Sequence, residues 1–298
     1  EMLRSLVGSE MCIRDRWYKN KEVLTKKLLA EGKTQDEIDK LELKDDVLVR
    51  VNGNPTYFAA DIAYHRNKFA RGFTTCIDVW GADHHGHVAR MKGAMDAIGL
   101  DGDRLQVVLI QLVRLMRDGE VVRMSKRSGK AIQLSDLLDE VPVDAARFIF
   151  NLREANTRMD FDLDLAIEQS SSNPVYYVQY AHARICSIFR KLAQEGITPR
   201  MVQKEELALL VQPEEKELIR HLAAYTGEII GAAKERDPAR ITRYCMDLAT
   251  LFHKFYNSCR VKGEDEPLMQ ARLSLCDAAR TVLHNALTLL KIDAPESM

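Results

Sequence analysis

Residues 75–99, TCIDVWGADHHGHVARMKGAMDAIG, decide the fold of this chain because they change from a strand-like to a helix-like pattern within a few residues. The β-branched and aromatic residues at 75–80 predict a strand that ends at Gly81. Residues 88–98 predict a helix, and Gly99 can adopt the left-handed conformation that terminates it. A strand that leads directly into a helix is the unit from which parallel α/β sheets are built.

The neighbouring segments extend this alternation in both directions. Residues 47–51 predict a short strand closed by the turn signal at 52–55, and residues 56–69 place apolar side chains at helical spacing. Residues 107–116 form a third apolar run before the turn at 118–119. We therefore expect the second half of a Rossmann-like, doubly wound parallel sheet.

Beyond about residue 160 the sequence predicts helices only. Asn173 can cap a helix whose first residue is Pro174, where the missing N–H has no helical partner to lose. Four apolar stripes at spacings of three and four predict an all-α helical bundle. Their members are Val178, Ala181, Ile185 and Phe189; Leu218, Leu222, Tyr225 and Ile229; Ile241, Cys245, Leu248 and Phe252; and Leu273, Cys276, Leu283, Leu287 and Leu290.

Composition excludes several classes of protein. With 298 residues, 46% of them hydrophobic and 29% charged, the chain is long enough for two globular domains. Its best apolar stretch, residues 105–116, is interrupted by Gln106, Gln111 and Arg114, so we expect no membrane span. Since 43 Lys and Arg balance 44 Asp and Glu, any site for a polyanion must be local.

The six cysteines are scattered and form no C-x-x-C pair. This pattern predicts neither a structural zinc site nor a disulfide framework, and it fits a reducing cytoplasm. The apolar neighbours of Cys186 and Cys245 predict plain buried thiols.

Residues 1–16, EMLRSLVGSEMCIRDR, lack the basic start and apolar run of a secretory signal. They resemble translated sequencing-adapter read-through, and we interpret them as a non-native segment. The alternative is a short native amphipathic helix, supported by Met2, Leu3, Leu6 and Val7.

The strongest chemical motif is Arg123-Met-Ser-Lys-Arg-Ser-Gly129. Small and hydroxylated residues interleaved with cations suit a mobile loop that closes on a polyphosphate, where Lys126 and Arg127 neutralise developing charge. The alternative is an ordinary basic surface turn.

The second motif, Gly81-Ala-Asp-His-His-Gly-His87, lies at the carboxyl end of a predicted strand, where open α/β sheets bind ligands. Asp83 suits a nucleotide ribose, with His84 and His87 lining the pocket. A metal site is the less favoured alternative, because adjacent side chains diverge and no zinc-site spacing is present.

The third motif lies on the helix predicted at 56–69. Tyr57, Asp61 and either Tyr64 or His65 share one helical face, where an aromatic ring and a carboxylate can hold a planar cation. Taken alone, the residues favour a plainer alternative, a helix-surface aspartate beside core tyrosines.

Together, in this order and with the bundle behind them, the motifs resemble bacterial arginyl-tRNA synthetases, which are class I aminoacyl-tRNA synthetases. The resemblance runs from about Lys44 to Met298. It includes TYFAADIAYH at 56–65, GADHHGH at 81–87, RMSKR at 123–127, FDLDL at 161–165, NPVYYVQYAHAR at 173–184 and APESM at 294–298.

This resemblance implies ATP-dependent ligation of L-arginine to tRNA(Arg) through an arginyl-adenylate. It implies that Tyr57, Asp61 and Tyr64 bind arginine, and that Lys126 stabilises the leaving pyrophosphate while Ser125 and Arg127 shape the loop. The residues implied to bind ATP are Gly81, Asp83, His84, His87, Met124 and Lys126. Mg²⁺ would arrive with ATP, and we expect no structural metal, no membrane partner and a cytoplasmic monomer.

The bundle is implied to bind the anticodon. Aromatic faces stack on unpaired bases and cations meet phosphates, so the candidate RNA contacts are Tyr180, Arg184, Arg243, Tyr256 and Arg260.

The chain also departs from the family pattern. Arg123 stands where class I enzymes often have Lys, Arg127 stands where many have Ser, and no H-x-G-H strand and helix precede residue 47. We therefore expect a fragment that is inactive alone, with a non-native segment at 1–16, half of a catalytic domain at 17–165 and a helical anticodon-binding domain at 166–298. The alternatives are a stand-alone tRNA-binding module and, last, a histidine-dependent metal hydrolase.

Overall fold

The computed structural model describes residues 10–11, 15–122, 132–263 and 265–298 of the chain. The described residues form two compact units, which are divided between Leu112 and Val113. The domain boundary at residue 165 stays a prediction about the organisation of the complete protein.

The first unit begins with a small antiparallel sheet, whose strands in spatial order are β1 (Glu10–Met11), β2 (Arg16–Tyr18) and β3 (Asp46–Val49). Between β2 and β3 lie helices α1 (Asn20–Ala30) and α2 (Gln35–Asp39). The segment predicted to be non-native thus contributes backbone to this sheet at residues 10, 11 and 16, and its origin stays a prediction.

A β–α–β unit follows and confirms the parallel-sheet prediction. Helix α3 (Tyr57–Ala70) leads to β4 (Cys76–Gly81), then to α4 (His85–Ala97) and to β5 (Leu105–Ile110). Strands β4 and β5 pair in parallel over their full length, from Cys76 opposite Leu105 to Gly81 opposite Ile110. Gly99 adopts φ +78° beyond the end of α4, as its position predicts.

Thr56 fixes the start of α3. Its hydroxyl oxygen accepts a hydrogen bond from the backbone N–H of Ala59 and donates one to the carbonyl of Val47, at 2.8 Å. One side chain therefore caps α3 and ties the helix to β3. Below α3 lies the core of the first unit, built from Tyr18, Leu48, Phe58, Ile62, Met91, Met95 and Leu105 among others.

The second unit opens with a mixed three-stranded sheet. Strand β6 (Val113–Arg117) lies between β7 (Glu120–Val122), which pairs antiparallel, and β8 (Met159–Asp162), which pairs parallel. The single apolar run predicted at 107–116 is therefore divided between β5 and β6, which belong to different sheets. Apolar patterning locates strand residues but does not show which sheet each one joins.

Helices make up the rest of the second unit. The short ones are α5 (Leu134–Leu138), α6 (Val143–Phe150), α7 (Leu163–Ile167) and α9 (Lys204–Leu207); the long ones are α8 (Pro174–Gln194), α10 (Pro213–Glu235), α11 (Ala239–Ser258) and α12 (Glu266–Leu289). Asn173 caps α8 through its side chain, which accepts from the N–H of Val175, and Pro174 is the first helical residue, as predicted. The predicted helical bundle is confirmed.

The stripes predicted on the long helices form one core. Val178, Ile185, Leu218, Leu248, Phe252, Cys276, Leu283 and Leu287 are all buried in it. The prediction of buried thiols is also confirmed: Cys186 and Cys245 are free and buried, and burial raises the pKa of Cys245 to about 12. In the part of the chain that the structure describes, no helix has the length and apolar character needed to cross a membrane.

Candidate functional site

Helix α3 separates its apolar and polar residues onto two faces. Phe58, Ile62 and Phe69 are buried, whereas Tyr57 is 91% exposed and Tyr64 is 59% exposed. Asp61 is exposed on the same side as both tyrosines. The plainer alternative, in which the tyrosines belong to the core, is therefore wrong, because this face of α3 points away from the apolar interior.

An open cavity of about 710 Å³ lies in front of this face. Its walls come from α3, from β4 and from the first turns after β4, at the carboxyl end of a parallel strand. The cavity brings together six residues predicted as site residues from separate motifs. They are Tyr57, Asp61, Tyr64, Asp83, His84 and His87.

Gly81, at the end of β4, leaves space for the side chain of Asp83 in the turn that follows. A Cβ atom at position 81 would lie 2.6 Å from Oδ1 of Asp83, so any side chain there would displace the carboxylate. Asp83 and His84 are largely exposed, with 82% and 63% of their side chains accessible. Both can therefore reach a ligand that occupies the cavity.

A buried polar network closes the cavity between α3 and β4. Nε2 of His65 lies 2.6 Å from Oδ2 of Asp78, and Nζ of Lys68 lies 2.8 Å from Oδ1 of the same carboxylate. Burial acts to raise the pKa of Asp78, but the hydrogen bonds from Lys68 and His65 leave it below its ordinary value. The sequence reasoning missed this network, although an aspartate within an alternating apolar strand was a signal that a partner would be needed.

A second chain of polar contacts connects β3, α4 and α3. Nη1 of Arg90 lies 2.9 Å from Oδ1 of Asp46, and Nη2 of Arg90 lies 2.6 Å from Nδ1 of His87. Nε2 of His87 is 3.8 Å from Oδ2 of Asp61. His87 therefore stands beside the carboxylate predicted to bind arginine. Neither Asp46 nor Arg90 was singled out from the sequence, because the contact between them joins residues 44 positions apart.

The imidazole of His87 is enclosed by aromatic rings. Its centroid lies 5.4 Å from that of Phe58 and 5.3 Å from that of Trp80. Among the described residues, no group of three or more His, Cys, Asp or Glu side chains is arranged to hold a metal ion. His84 and His87 thus line an aromatic and carboxylate pocket, and the described residues offer no metal-ligand cluster there.

The predicted phosphate-binding loop, including Met124, Ser125, Lys126 and Arg127, lies outside the described residues. On its two sides are β7 and α5, and the side chain of Asp136 accepts from the N–H of Gln133 at the start of α5. The roles implied for the loop stay predictions.

A second cavity, of about 700 Å³, lies wholly within the second unit, among helices of the bundle. We call this unit the helical unit. Tyr180 and Arg184 from α8, Tyr256 from α11, and Arg260 all line it. Four of the five predicted RNA contacts are therefore neighbours in space. Arg243 does not line this cavity and instead lies 3.2 Å from the carboxylate of Asp237.

Cations and aromatic rings are interleaved at this second cavity. The guanidinium of Arg184 lies 4.4 Å from the ring centroid of Tyr256 and 6.0 Å from that of Tyr180. Arg190, Lys191 and Lys262 add further positive charge, against the carboxylates of Glu195 and Glu296. A local excess of cations thus exists on a unit whose charges nearly balance overall.

The C-terminal tail forms one wall of this cavity. Side chains on one face of α8 hold the tail backbone: Gln179 donates to the carbonyl of Asp293, His182 to that of Pro295 and Arg190 to that of Glu296, at 2.9, 2.9 and 3.0 Å. These bonds bring Glu296, Ser297 and Met298 to the lining. The shape of the cavity therefore depends on how the tail docks on α8.

Comparisons with known proteins show which proteins this chain is similar to. Residues 178–298 match the DALR anticodon binding domain family. The arginine–tRNA ligase of Ruminiclostridium cellulolyticum is 59% identical over 256 residues, which is 86% of this chain, and that of Caldanaerobacter subterraneus is 60% identical over 256 residues. The chain spans 45% and 46% of the lengths of these relatives.

Solved structures show the same fold. A structure assigned as an arginyl-tRNA synthetase from Campylobacter jejuni has a TM-score of 0.81 and 31% identity, and it covers 100% of this chain and 61% of its own. Thermus thermophilus arginyl-tRNA synthetase, at 24% identity and a TM-score of 0.72 over 85% of this chain and 51% of that one, supports the fold alone. This chain therefore belongs to the arginyl-tRNA synthetase (arginine–tRNA ligase) family.

Proposed function

We propose that the complete protein ligates arginine to tRNA(Arg) with ATP, through an arginyl-adenylate, and that this chain contributes the arginine pocket and an RNA-binding helical unit. The observation that supports this most is the pairing of exposed Tyr57 with Asp61 at the open side of the first cavity. We also propose that the reaction takes place in the cytoplasm, which suits the free thiols among the described residues.

The pocket suits a guanidinium for a simple geometric reason. Asp61 is one helical turn from Tyr57 and from Tyr64, so a planar cation can receive the carboxylate at its edge and an aromatic ring at its face. The ring of Tyr64 lies 4.7 Å from the ammonium of Lys68, a cation–π contact of the kind that we propose for a guanidinium. Asp61 would hold the guanidinium through two parallel hydrogen bonds.

ATP would approach from the end of β4. The exposed Asp83 and His84 can bind the ribose and line the nucleotide site, with Gly81 leaving the space that the turn needs. We propose that Lys126 stabilises the pyrophosphate, that Met124, Ser125 and Arg127 shape the loop around it, and that Mg²⁺ arrives with ATP. A metal ion shared with phosphates neutralises charge without a dedicated protein site.

The helical unit would bind tRNA at the second cavity. Tyr180 and Tyr256 offer rings for an unpaired base, and Arg184 and Arg260 offer charge for the adjoining phosphates. Arg243 does not line this cavity, and we propose it as a separate candidate for a phosphate contact. We also propose that the complete protein is a monomer.

Titration calorimetry of L-arginine with the 298-residue chain tests the arginine pocket. Asp61→Asn keeps the size of the side chain but removes its charge, so we expect binding to weaken by about 30- to 100-fold. Asp103→Asn is the control, since Asp103 forms an exposed ion pair with Lys92 at 3.3 Å outside the pocket. Equal affinities for Asp61→Asn and the parent chain would refute the assignment.

A second candidate function is tRNA binding without catalysis, and the completeness of the second cavity within one unit favours it. Because the chain spans under half the length of its curated relatives, we expect it to bind a tRNA(Arg) transcript but to catalyse no ATP–pyrophosphate exchange. Arginine- and tRNA-dependent exchange at ordinary rates would contradict this expectation. Filter binding and exchange assays on one preparation decide between the two outcomes.

A further inference from the structure

The contact between Arg90 and His87 determines which nitrogen of the imidazole carries a proton. Nη2 of Arg90 lies 2.6 Å from Nδ1 of His87, which is hydrogen-bonding distance. A guanidinium has five N–H donors, no acceptor, and stays charged at all accessible pH values. The bond therefore requires Nδ1 to be the acceptor, so Nδ1 is unprotonated.

An imidazole with a free Nδ1 carries its single proton on Nε2. In this structure Nε2 lies 3.8 Å from Oδ2 of Asp61, so the N–H group is adjacent to the carboxylate that faces the cavity. The surroundings of His65 differ: its Nδ1 lies 2.8 Å from the carbonyl of Asp61 and its Nε2 lies 2.6 Å from the carboxylate of Asp78. Both nitrogens of His65 face acceptors, whereas His87 faces one donor and one acceptor.

Arg90 is itself held in place from two directions. Its Nη1 donates to the carboxylate of Asp46 at 2.9 Å, and its guanidinium lies 4.6 Å from the ring centroid of Phe58. With its position fixed by a strand on one side and by a helix on the other, the guanidinium is a permanent positive charge against Nδ1. Protonation of His87 would break the hydrogen bond and place two cations in contact.

We infer that Arg90 is a positioning residue that keeps His87 uncharged and in its Nε2–H form, so that Asp61 remains the dominant charge offered to a cationic ligand. The inference rests on the proposed arginine pocket. An imidazolium at position 87 would neutralise Asp61 and repel a guanidinium, whereas the neutral ring supports the carboxylate with a donor and leaves its charge in place.

The charges around His87 are consistent with this role. Burial and the charge of Arg90 lower the pKa of His87, as do His84 and His65, while Asp61 acts in the opposite direction. Asp46 stands behind Arg90, and the rings of Phe58 and Trp80 complete the enclosure. Removing the guanidinium leaves Asp61 as the nearest charged partner, and this change favours protonation.

Two measurements on the 298-residue chain test the inference. The first is a nitrogen-15 NMR titration of the ring of His87, identified by its absence in His87→Gln. Arg90→Met removes the charge and the donor, and Arg90→Lys restores the charge. Arg104→Met is the matched control, because Arg104 also lies over a phenylalanine ring, at 4.4 Å from Phe69, but in a different part of the unit.

For the titration we expect the pKa of His87 to rise in Arg90→Met, to recover in part in Arg90→Lys, and to be unchanged in Arg104→Met. The parent chain should show an unprotonated Nδ1 and a protonated Nε2 above the titration. An unchanged pKa in Arg90→Met, or a proton on Nδ1 of the parent chain at neutral pH, would overturn the inference.

The second measurement is the affinity for L-arginine and for its neutral isostere L-citrulline between pH 8 and pH 6. In Arg90→Met we expect arginine binding to weaken by about tenfold as the pH falls, with citrulline unaffected, since a nearby unit charge at a partly exposed site contributes on this scale. The same pH dependence in the parent chain and in Arg90→Met would also overturn the inference. If the parent chain binds no arginine but the titration gives the expected shift, the proposed arginine pocket is wrong while the control of His87 by Arg90 stands.

Discussion

His65 donates through Nε2 to the carboxylate of Asp78 across 2.6 Å, which joins the middle of α3 to the middle of β4. The other ring nitrogen reaches the carbonyl of Asp61 at 2.8 Å. Two acceptors, one on α3 and one on β4, therefore lie within hydrogen-bonding distance of one imidazole ring. The ring of His65 thus connects β4 to the backbone of Asp61, the residue whose side chain faces the cavity. The two bonds together help to position Asp61 relative to the sheet.

Replacing His65 should therefore destabilise the first unit. His65 is only 4% exposed, and His65→Gln cannot bridge two acceptors on opposite sides of a ring, so we expect the free energy of unfolding to fall by about 1–3 kcal/mol. Urea unfolding of the chain followed by tryptophan fluorescence measures this change, since Trp17 and Trp80 both lie in the first unit. His84→Gln, on an exposed ring, is the control, and an equal effect of both variants would show that the bridge contributes nothing.

A buried ion pair in the helical unit should contribute far more to the free energy of unfolding than an exposed pair does. Nε of Arg272 lies 2.7 Å from Oε1 of Glu215, with side chains 6% and 0% exposed, and Arg272 also donates to the carbonyl of Arg260. Removing one partner leaves a buried charge uncompensated, so Arg272→Met should cost about 3–5 kcal/mol.

Lys254 and Glu217 provide the matched comparison for that prediction. They form a pair of similar length, 2.8 Å, between the same unit's α10 and α11, but with both side chains substantially exposed. Lys254→Met should cost at most about 1 kcal/mol. Urea unfolding followed by far-ultraviolet circular dichroism compares the variants, and equal losses would mean that burial is not the deciding factor.

The sequence predicted those parts of the site that depend on local geometry. Spacings of four and three along α3 are enough to place Tyr57, Asp61 and Tyr64 on one face, and the end of a strand is enough to place Asp83 at a cavity. The contact of Arg90 with Asp46 depends instead on how α4 packs beside β3, 44 residues away in sequence, and no local period encodes it. Likewise, exposure of the tyrosines follows from which face of α3 meets the core, which spacing alone leaves open.

Acid should lower the stability of the helical unit through His182, which contacts the C-terminal tail. Burial lowers the pKa of His182, against the raising effect of its bond to the Pro295 carbonyl, and His284 and Arg280 add to the lowering. Below the ordinary histidine pKa of about 6.5 the unfolded chain binds the proton more readily than the folded chain, so stability falls as the pH drops through that value towards the lower folded pKa.

The corresponding measurement is the free energy of unfolding of the helical unit at pH 7.5, 6.5 and 5.5. His182→Gln removes the titrating group, so its stability should decline less over this range than that of the parent chain. His84→Gln, which changes an exposed ring in the other unit, should leave the decline unaltered. A parent-like slope in His182→Gln would assign the acid sensitivity to other groups. Half-buried His253 is the first candidate, because burial and Arg184 lower its pKa.

Arg184 should contribute to RNA binding out of proportion to its single charge. Its guanidinium lies 4.4 Å from the ring centroid of Tyr256 at the second cavity. A base or phosphate that enters the cavity therefore meets a cation and an aromatic ring that are already side by side. Arg184→Met keeps most of the side-chain volume and removes the charge. We expect the affinity for a tRNA(Arg) transcript to fall by about 1–3 kcal/mol, and the dependence of binding on salt to decrease by about one phosphate contact.

Arg280→Met is the matched control for Arg184→Met. Arg280 also stands over an aromatic ring, 5.4 Å from that of Phe189, and also lies in the helical unit, but it is not among the residues that line the cavity. Filter binding at several salt concentrations should therefore separate the two variants, with Arg280→Met close to the parent chain. Loss of stacking lowers the affinity equally at every salt concentration, whereas loss of a phosphate contact changes how steeply the affinity depends on salt. Comparing the salt dependence of Arg184→Met with that of the parent chain therefore shows which of the two roles Arg184 has. Indistinguishable curves for both variants and the parent chain would remove the second cavity from the RNA-binding surface.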